Sequence, residues 1–262
     1  MIDAHCHLDS QDFDPDRDEV VARAKAAGIR CAINAGNCPK DNGKVIQLAK
    51  DFSGFILPTL AVSPHHANEC TDADLEAELR RIESEKARLA GIGETGLDWH
   101  QFKKEQERER QEKFYRAHLQ LAESLDLPVV VHSRDAEERC IRIAREYECR
   151  AVLHCFLEHK VIELALQTKY PISIPTLKSK GIDKIIKKTP LERLFCETDS
   201  PWLWAGGRNE PANVGVAYER VAKVKSEPFE KVVGTIDSGV AAFFGIRDGF
   251  LKRGDFHGQE PS

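Results

Sequence analysis

Two histidines two positions apart, His5 and His7, close an apolar run that starts near the first residue. Alternate side chains of a strand point to opposite faces, so a strand here aims both imidazoles one way and Cys6 the other. Two imidazoles at a strand end can reach one divalent cation, and an ordinary surface or core pair would look the same. Partners at matching places decide between these readings. Glu94, His132, His154 and Asp199 each follow a short apolar run. Four imidazoles and two carboxylates are too many for one tetrahedral ion but suit two divalent ions bridged by a carboxylate. Mixed nitrogen and oxygen donors fit Zn²⁺, Mn²⁺ or Fe²⁺ better than Mg²⁺ or Ca²⁺, which prefer oxygen shells. Two ions about 3.5–4 Å apart can activate water and stabilise both the attacking and the leaving oxygen of a phosphoryl transfer. The plainer reading makes each residue a cap or a buried hydrogen-bonding group. All six standing at strand ends argues against it.

The elements that must position these residues alternate in type. After the first strand, Asp14-Pro15-Asp16 opens a helix with Val20, Val21, Ala24 and Ala27 on its apolar side, and Gly28 ends it. Further strands are expected over residues 29–35, 55–62, 89–93, 128–131, 151–153, 171–174 and 193–196. Helical patterns separate them, marked by Val45 and Ile46, by Leu75, Leu79 and Ile82, and by a charged stretch over 105–125. Thr71 with Asp74 reads as a capping box. Later helices run through Ile141 and Ala144, through Val161 and Leu164, and through Ile182 and Ile186; two more, over 216–224 and 229–244, close the pattern. Near-continuous apolar strands suit a parallel sheet covered on both faces. Eight such units predict an α/β fold, a (β/α)₈ TIM barrel with its active site at the C-terminal ends of the strands. A doubly wound open sheet is the alternative. Residues 1–246 are expected to form this one domain, and 247–262, rich in glycine and charge, a loosely ordered tail.

Composition narrows the class. With 41% apolar and 31% charged residues the chain can bury a core and is too polar for a membrane protein. No apolar run approaches a bilayer-spanning length, and Asp3, His5 and His7 occupy the place of a secretory signal. Eight scattered cysteines without a Cys-x-x-Cys pair read as reduced thiols in a cytoplasmic protein. A formal net charge of −5 argues against coating nucleic acid by bulk electrostatics, though not against gripping a few phosphates.

Five blocks together carry a family resemblance: residues 3–9 (Asp3-Ala4-His5-Cys6-His7-Leu8-Asp9), 93–98 (Gly93-Glu94-Thr95-Gly96-Leu97-Asp98), 132–136, His154-Cys155-Phe156, and 197–203. In that order they resemble the TatD family of metal-dependent deoxyribonucleases, amidohydrolase-like barrels, over about residues 1–246. The resemblance implies a cytosolic, divalent-metal-dependent nuclease, typically a 3′–5′ exonuclease, in some members an endonuclease at abasic sites. It implies DNA, single-stranded or at 3′ ends, as the partner, with neither a membrane nor an obligate protein partner. Two divalent ions are expected, with Zn²⁺, Mn²⁺ and Mg²⁺ left open. Carried over, His5, His7 and Asp199 resemble the ligands of one ion, and His132 and His154 those of the second. Glu94 resembles the bridging carboxylate. Asp199 and Glu94 are the catalytic pair, with Asp199 accepting a proton from the attacking water or orienting it.

Other residues near these blocks carry weaker signals. Arg134 is expected to hold a phosphate by paired hydrogen bonds, against a salt bridge to Asp135. His65 matches a family position near the substrate, and Arg208, in a region after the last strand whose loop looks shortened, is a further candidate substrate contact. Phe156 and Trp202 could stack on a base or simply pack. Lys178, Lys180, Lys184, Lys187 and Lys188 read as a solvated helix face. Ser63 and Pro175 depart from the family pattern, where a histidine and a glycine are common. The alternative functions are hydrolysis of another ester or amide, such as D-aminoacyl-tRNA, and a non-catalytic barrel with structural metals.

Overall fold

The computed structural model describes residues 1–246; the expected tail, 247–262, lies outside the described residues. Eight parallel strands follow one another around the sheet in chain order. They are β1 (Ile2–Cys6), β2 (Cys31–Ala35), β3 (Ile56–Leu60), β4 (Gly91–Asp98), β5 (Val129–Arg134), β6 (Ala151–Leu153), β7 (Ile172–Pro175) and β8 (Leu194–Glu197). Between and after them run α1 (Arg17–Ala26), α2 (Asn42–Asp51), α3 (Asp72–Glu85), α4 (Glu105–Leu125), α5 (Glu137–Ala144), α6 (Ile162–Leu166), α7 (Lys180–Lys188), α8 (Gly215–Lys225) and α9 (Phe229–Phe244). The first and last strands meet. Asp199 N–H donates to the His5 carbonyl at 3.0 Å, and His7 N–H to the Ser200 carbonyl at 2.8 Å. Below them the Asp3 carboxylate accepts from the backbone N–H and hydroxyl of Thr198 at 2.9 and 2.6 Å. This seam makes the sheet a (β/α)₈ barrel and removes the open-sheet alternative.

Every strand except β5 is buried along its whole length. Side chains inside the ring and helices outside it cover both faces, which is why the strands read as continuous apolar runs. Local signals start and stop the helices. Thr71 accepts from Asp74 N–H at 3.1 Å, and the Asp74 carboxylate from Thr71 N–H at 2.7 Å, completing the capping box before α3. Gly28, at φ +81°, turns the chain out of α1. Ala27, expected on the apolar side, lies past the last turn of α1 and is exposed.

Two strands outrun their apolar stretches. β4 continues past residue 93 to Asp98, and β5 past residue 131 to Arg134. Polarity does not end a strand while its backbone stays paired, and Thr95 to Asp98 stay in register with Val131 to Arg134. The register shifts between Ile92 and Thr95, beside Glu94. Gly96, at φ +142°, lies so close to β5 that a Cβ on it would stand 2.0 Å from the His132 carbonyl oxygen. Only glycine fits there.

Candidate active site

The C-terminal ends of β1, β4, β6 and β8 bring ring nitrogens and carboxylate oxygens to one buried place. His5 Nε2 and His7 Nε2 are 3.0 Å apart, while the Cys6 thiol turns away toward the Ile33 carbonyl. Glu94 Oε2 lies 3.3 Å from His5 Nε2, 3.8 Å from His7 Nε2 and 3.6 Å from His154 Nε2. Asp199 Oδ1 lies 3.7 and 3.6 Å from the same atoms of His5 and His7. His5, His7 and Asp199 form one group of donor atoms within 4.8 Å of one another, and His5, Glu94 and His154 a second. His5 belongs to both. His132, expected beside His154, stands at the edge, its Nδ1 3.9 Å from Glu94 Oε2. The chain turns sharply beside two of these residues. Asp199 itself and Cys155, next to His154, adopt positive φ (53° and 45°), a conformation that costs a non-glycine residue of order 1 kcal/mol or more and clusters at functional sites.

The electrostatics single this place out. Among the described residues neither Glu94 nor Asp199 has a lysine or arginine partner; only imidazoles face them. Burial opposes ionising Glu94, yet the hydrogen bond from His5 and the charges of His132 and His7 hold its pKa well below the usual range. Asp199 is also depressed: burial opposes this, and His7 outweighs it. Burial likewise opposes charging His7, but Asp199 and Glu94 lift it to about 9. Burial opposes charging His154, which Glu197 lifts to about 10. Buried charge on this scale is paired or coordinates metal. The donor set fits divalent cations, which would take the place of those protons.

Carboxylates also stand behind two of the rings, and the sequence reading missed both. His154 Nδ1 is 2.9 Å from the buried Glu197 Oε1, off the line of a good hydrogen bond but at ion-pair distance. His132 Nε2 is 3.4 Å from Asp98 Oδ2, and Asp98 also accepts from His65 Nε2 at 3.0 Å and from Gln101 N–H at 2.8 Å. His7 Nδ1 faces the Ala35 carbonyl at 3.1 Å and the Asn37 side-chain amide at 3.0 Å, which leaves Nε2 turned toward the cluster. Such backing fixes a ring's orientation and raises its basicity. A usable signal existed. Glu197 ends an otherwise apolar strand, and Asp98 lies an even number of residues from Glu94. Glu197→Gln keeps the shape and removes the charge, so metal affinity should fall roughly 10–100-fold. Titration against a competing chelator reads this; an unchanged affinity would reduce Glu197 to a space-filler.

The remaining candidates fall in different places. His65 is partly exposed, hydrogen-bonded to Asp98 and edge-on to the His132 ring at 4.9 Å. Arg134 is exposed and makes no side-chain hydrogen bond or ion pair among the described residues, because Asp135 pairs with His100 at 2.9 Å. Arg208 is a correction. Both its terminal nitrogens pair with Asp16 at 2.7 Å, and its guanidinium lies over Phe13, so it is held at the start of α1 and not brought to the cluster. Phe156 is fully buried and packs, whereas Trp202 stands at the rim beside His7. Lys188 pairs with Glu163, and Lys184 approaches His159 at 3.4 Å, as on an ordinary helix face. Ser63 faces His66 Nδ1 at 3.1 Å. A cavity of about 400 Å³ opens at the opposite ends of β6 and β7, lined by Arg145, Tyr170 and Phe243 among others, and takes no part in the cluster. No described helix is long and apolar enough to cross a membrane.

Comparison with known proteins places the chain in a family. The family described as TatD related DNase matches residues 2–245. Deoxyribonuclease TATDN3 of Homo sapiens is 35% identical over 247 residues, covering 89% of this chain and 90% of that protein. The 3′-5′ ssDNA/RNA exonuclease TatD of Erwinia amylovora is 31% identical over 263 residues, covering 94% and 100%. The crystal structure of YJJV, a TatD homologue from Escherichia coli K12, superposes with a TM-score of 0.87 at 25% identity, covering 94% of this chain and 98% of that one.

Proposed function

The chain belongs to the TatD-related DNase family, and on that premise we propose that it is a divalent-metal-dependent deoxyribonuclease, a 3′–5′ exonuclease on single-stranded DNA that works with two metal ions. The observation that carries this reading is the pair of ligand groups sharing His5, drawn from four strand ends. His5, His7 and Asp199 would hold one ion, His132 and His154 the other, and Glu94 would bridge them. Ions so held would supply an activated water and charge stabilisation for the attacking and leaving oxygens. Asp199, kept ionised by its imidazole neighbours, would orient that water and take its proton. Arg134 would grip a substrate phosphate with two N–H groups, and His65, steadied by Asp98, would line the same mouth. The eight free cysteines, five of them buried, suit the reducing cytoplasm. Nucleotide release from 3′-labelled single-stranded DNA with Mn²⁺ or Mg²⁺ tests the reading, with RNA and D-aminoacyl-tRNA run in parallel. Release that stops with chelator and returns with metal is expected. No release from DNA, or cleavage of the aminoacyl ester instead, would overturn it.

A further inference from the structure

We propose that Trp202 forms a nucleobase subsite, its indole stacking on the base of the nucleotide whose phosphate lies at the ligand cluster. This rests on the nuclease reading above. Among the described residues Trp202 is a rare large apolar side chain left open to solvent, 49% exposed where Phe156 is fully buried. An exposed indole has an unused face, and this one stands at the rim of the barrel. Its ring centroid lies 5.0 Å from that of His7, edge to face. A phosphate near His7 therefore places its own base within one sugar's length of the indole.

The ring is open but its stem is fixed. Trp202 N–H donates to the Asp199 carbonyl at 3.0 Å, the Pro201 carbonyl accepts from Asn209 N–H at 2.9 Å, and Ser200 and Pro201 are buried. A rigidly mounted aromatic gives up little freedom when a ligand arrives. Every base offers a π-face, so stacking tolerates all four bases. That property suits an enzyme that must accept each successive nucleotide at a 3′ end. The ligand class is thus a nucleobase of any identity, with no reader of its edge implied.

The test crosses Trp202→Ala and Trp202→Phe with two oligonucleotides, one ending in a normal 3′ nucleotide and one in an abasic tetrahydrofuran. Trp202→Ala should raise KM for the base-bearing end roughly tenfold, within the roughly five- to 150-fold range of base–aromatic stacking, with a much smaller effect on kcat. The abasic end should lose at most about twofold, and Trp202→Phe should recover most of the loss. Equal losses on both substrates would overturn the subsite and leave Trp202 as packing for His7. A binding arm keeps this failure apart from failure of the nuclease reading. Quenching of indole fluorescence by dAMP and not by deoxyribose 5-phosphate, missing in Trp202→Phe, supports the subsite even where no nucleotide is released. Equal quenching in both proteins overturns it.

Discussion

Asp199→Asn should lower the rate of DNA hydrolysis by about 10³–10⁴-fold while leaving the barrel folded. Two losses combine: a carboxylate able to take the water's proton, typically worth about 10²–10⁴, and an anionic donor facing His5 and His7. Asparagine is the better probe than alanine. The residue sits at φ 53°, where asparagine is at ease and alanine is strained. Its backbone N–H still donates to the His5 carbonyl, so the join between β1 and β8 survives. Single-turnover release from 3′-labelled DNA, beside a urea unfolding curve, separates chemistry from folding. A loss below tenfold with metal bound would remove Asp199 from the reaction.

Gly96→Ala should cost about 3–5 kcal/mol of stability, the range reached when backbone strain and overpacking coincide. The added methyl would meet the His132 carbonyl oxygen at 2.0 Å and the His132 nitrogen at 3.1 Å, and neither is the free end of a side chain. At φ +142° an L residue is strained even with space around it. Relief requires β4 and β5 to part where Glu94 and His132 are carried, so activity should fall with stability. Gly234→Ala is the control. It lies exposed within α9 with nothing within 4 Å of the new methyl, and should gain about 1 kcal/mol. Urea denaturation of both variants measures the contrast. Insolubility of Gly96→Ala counts with the expected loss, whereas a midpoint like the parent's would deny the close approach.

The barrel was legible because its strands are buried on both sides. That condition writes itself into the sequence as eight apolar runs, with helices of a different period between them. The ligands were legible because they interrupt those runs at the same end of each strand. Residues whose role depends on a partner far along the chain were not. Glu197 and Asp98 gain meaning only from His154 and His132. Arg208 reads in the sequence as a candidate substrate contact, and its pairing with Asp16, far along the chain, is not visible there. Phe156 and Trp202 are alike as aromatic residues just after strand ends, and exposure alone tells them apart. The ends of β4 and β5 escaped for a related reason. Pairing between strands extends them, and pairing has no local signature.

The seam between β1 and β8 also sets an order in time. A chain is made from its N-terminal side, so His5 and His7 are made well ahead of Asp199. At about 5–20 residues per second that interval is on the order of ten seconds or more. Throughout it, β1 has an unpaired edge, and its two imidazoles lack both the Asp199 carboxylate and the backbone bonds that fix their positions. A half-made chain therefore lacks the complete donor cluster that the proposed chemistry requires. The cluster is complete only with the last strand, when Asp199 reaches His5 and His7.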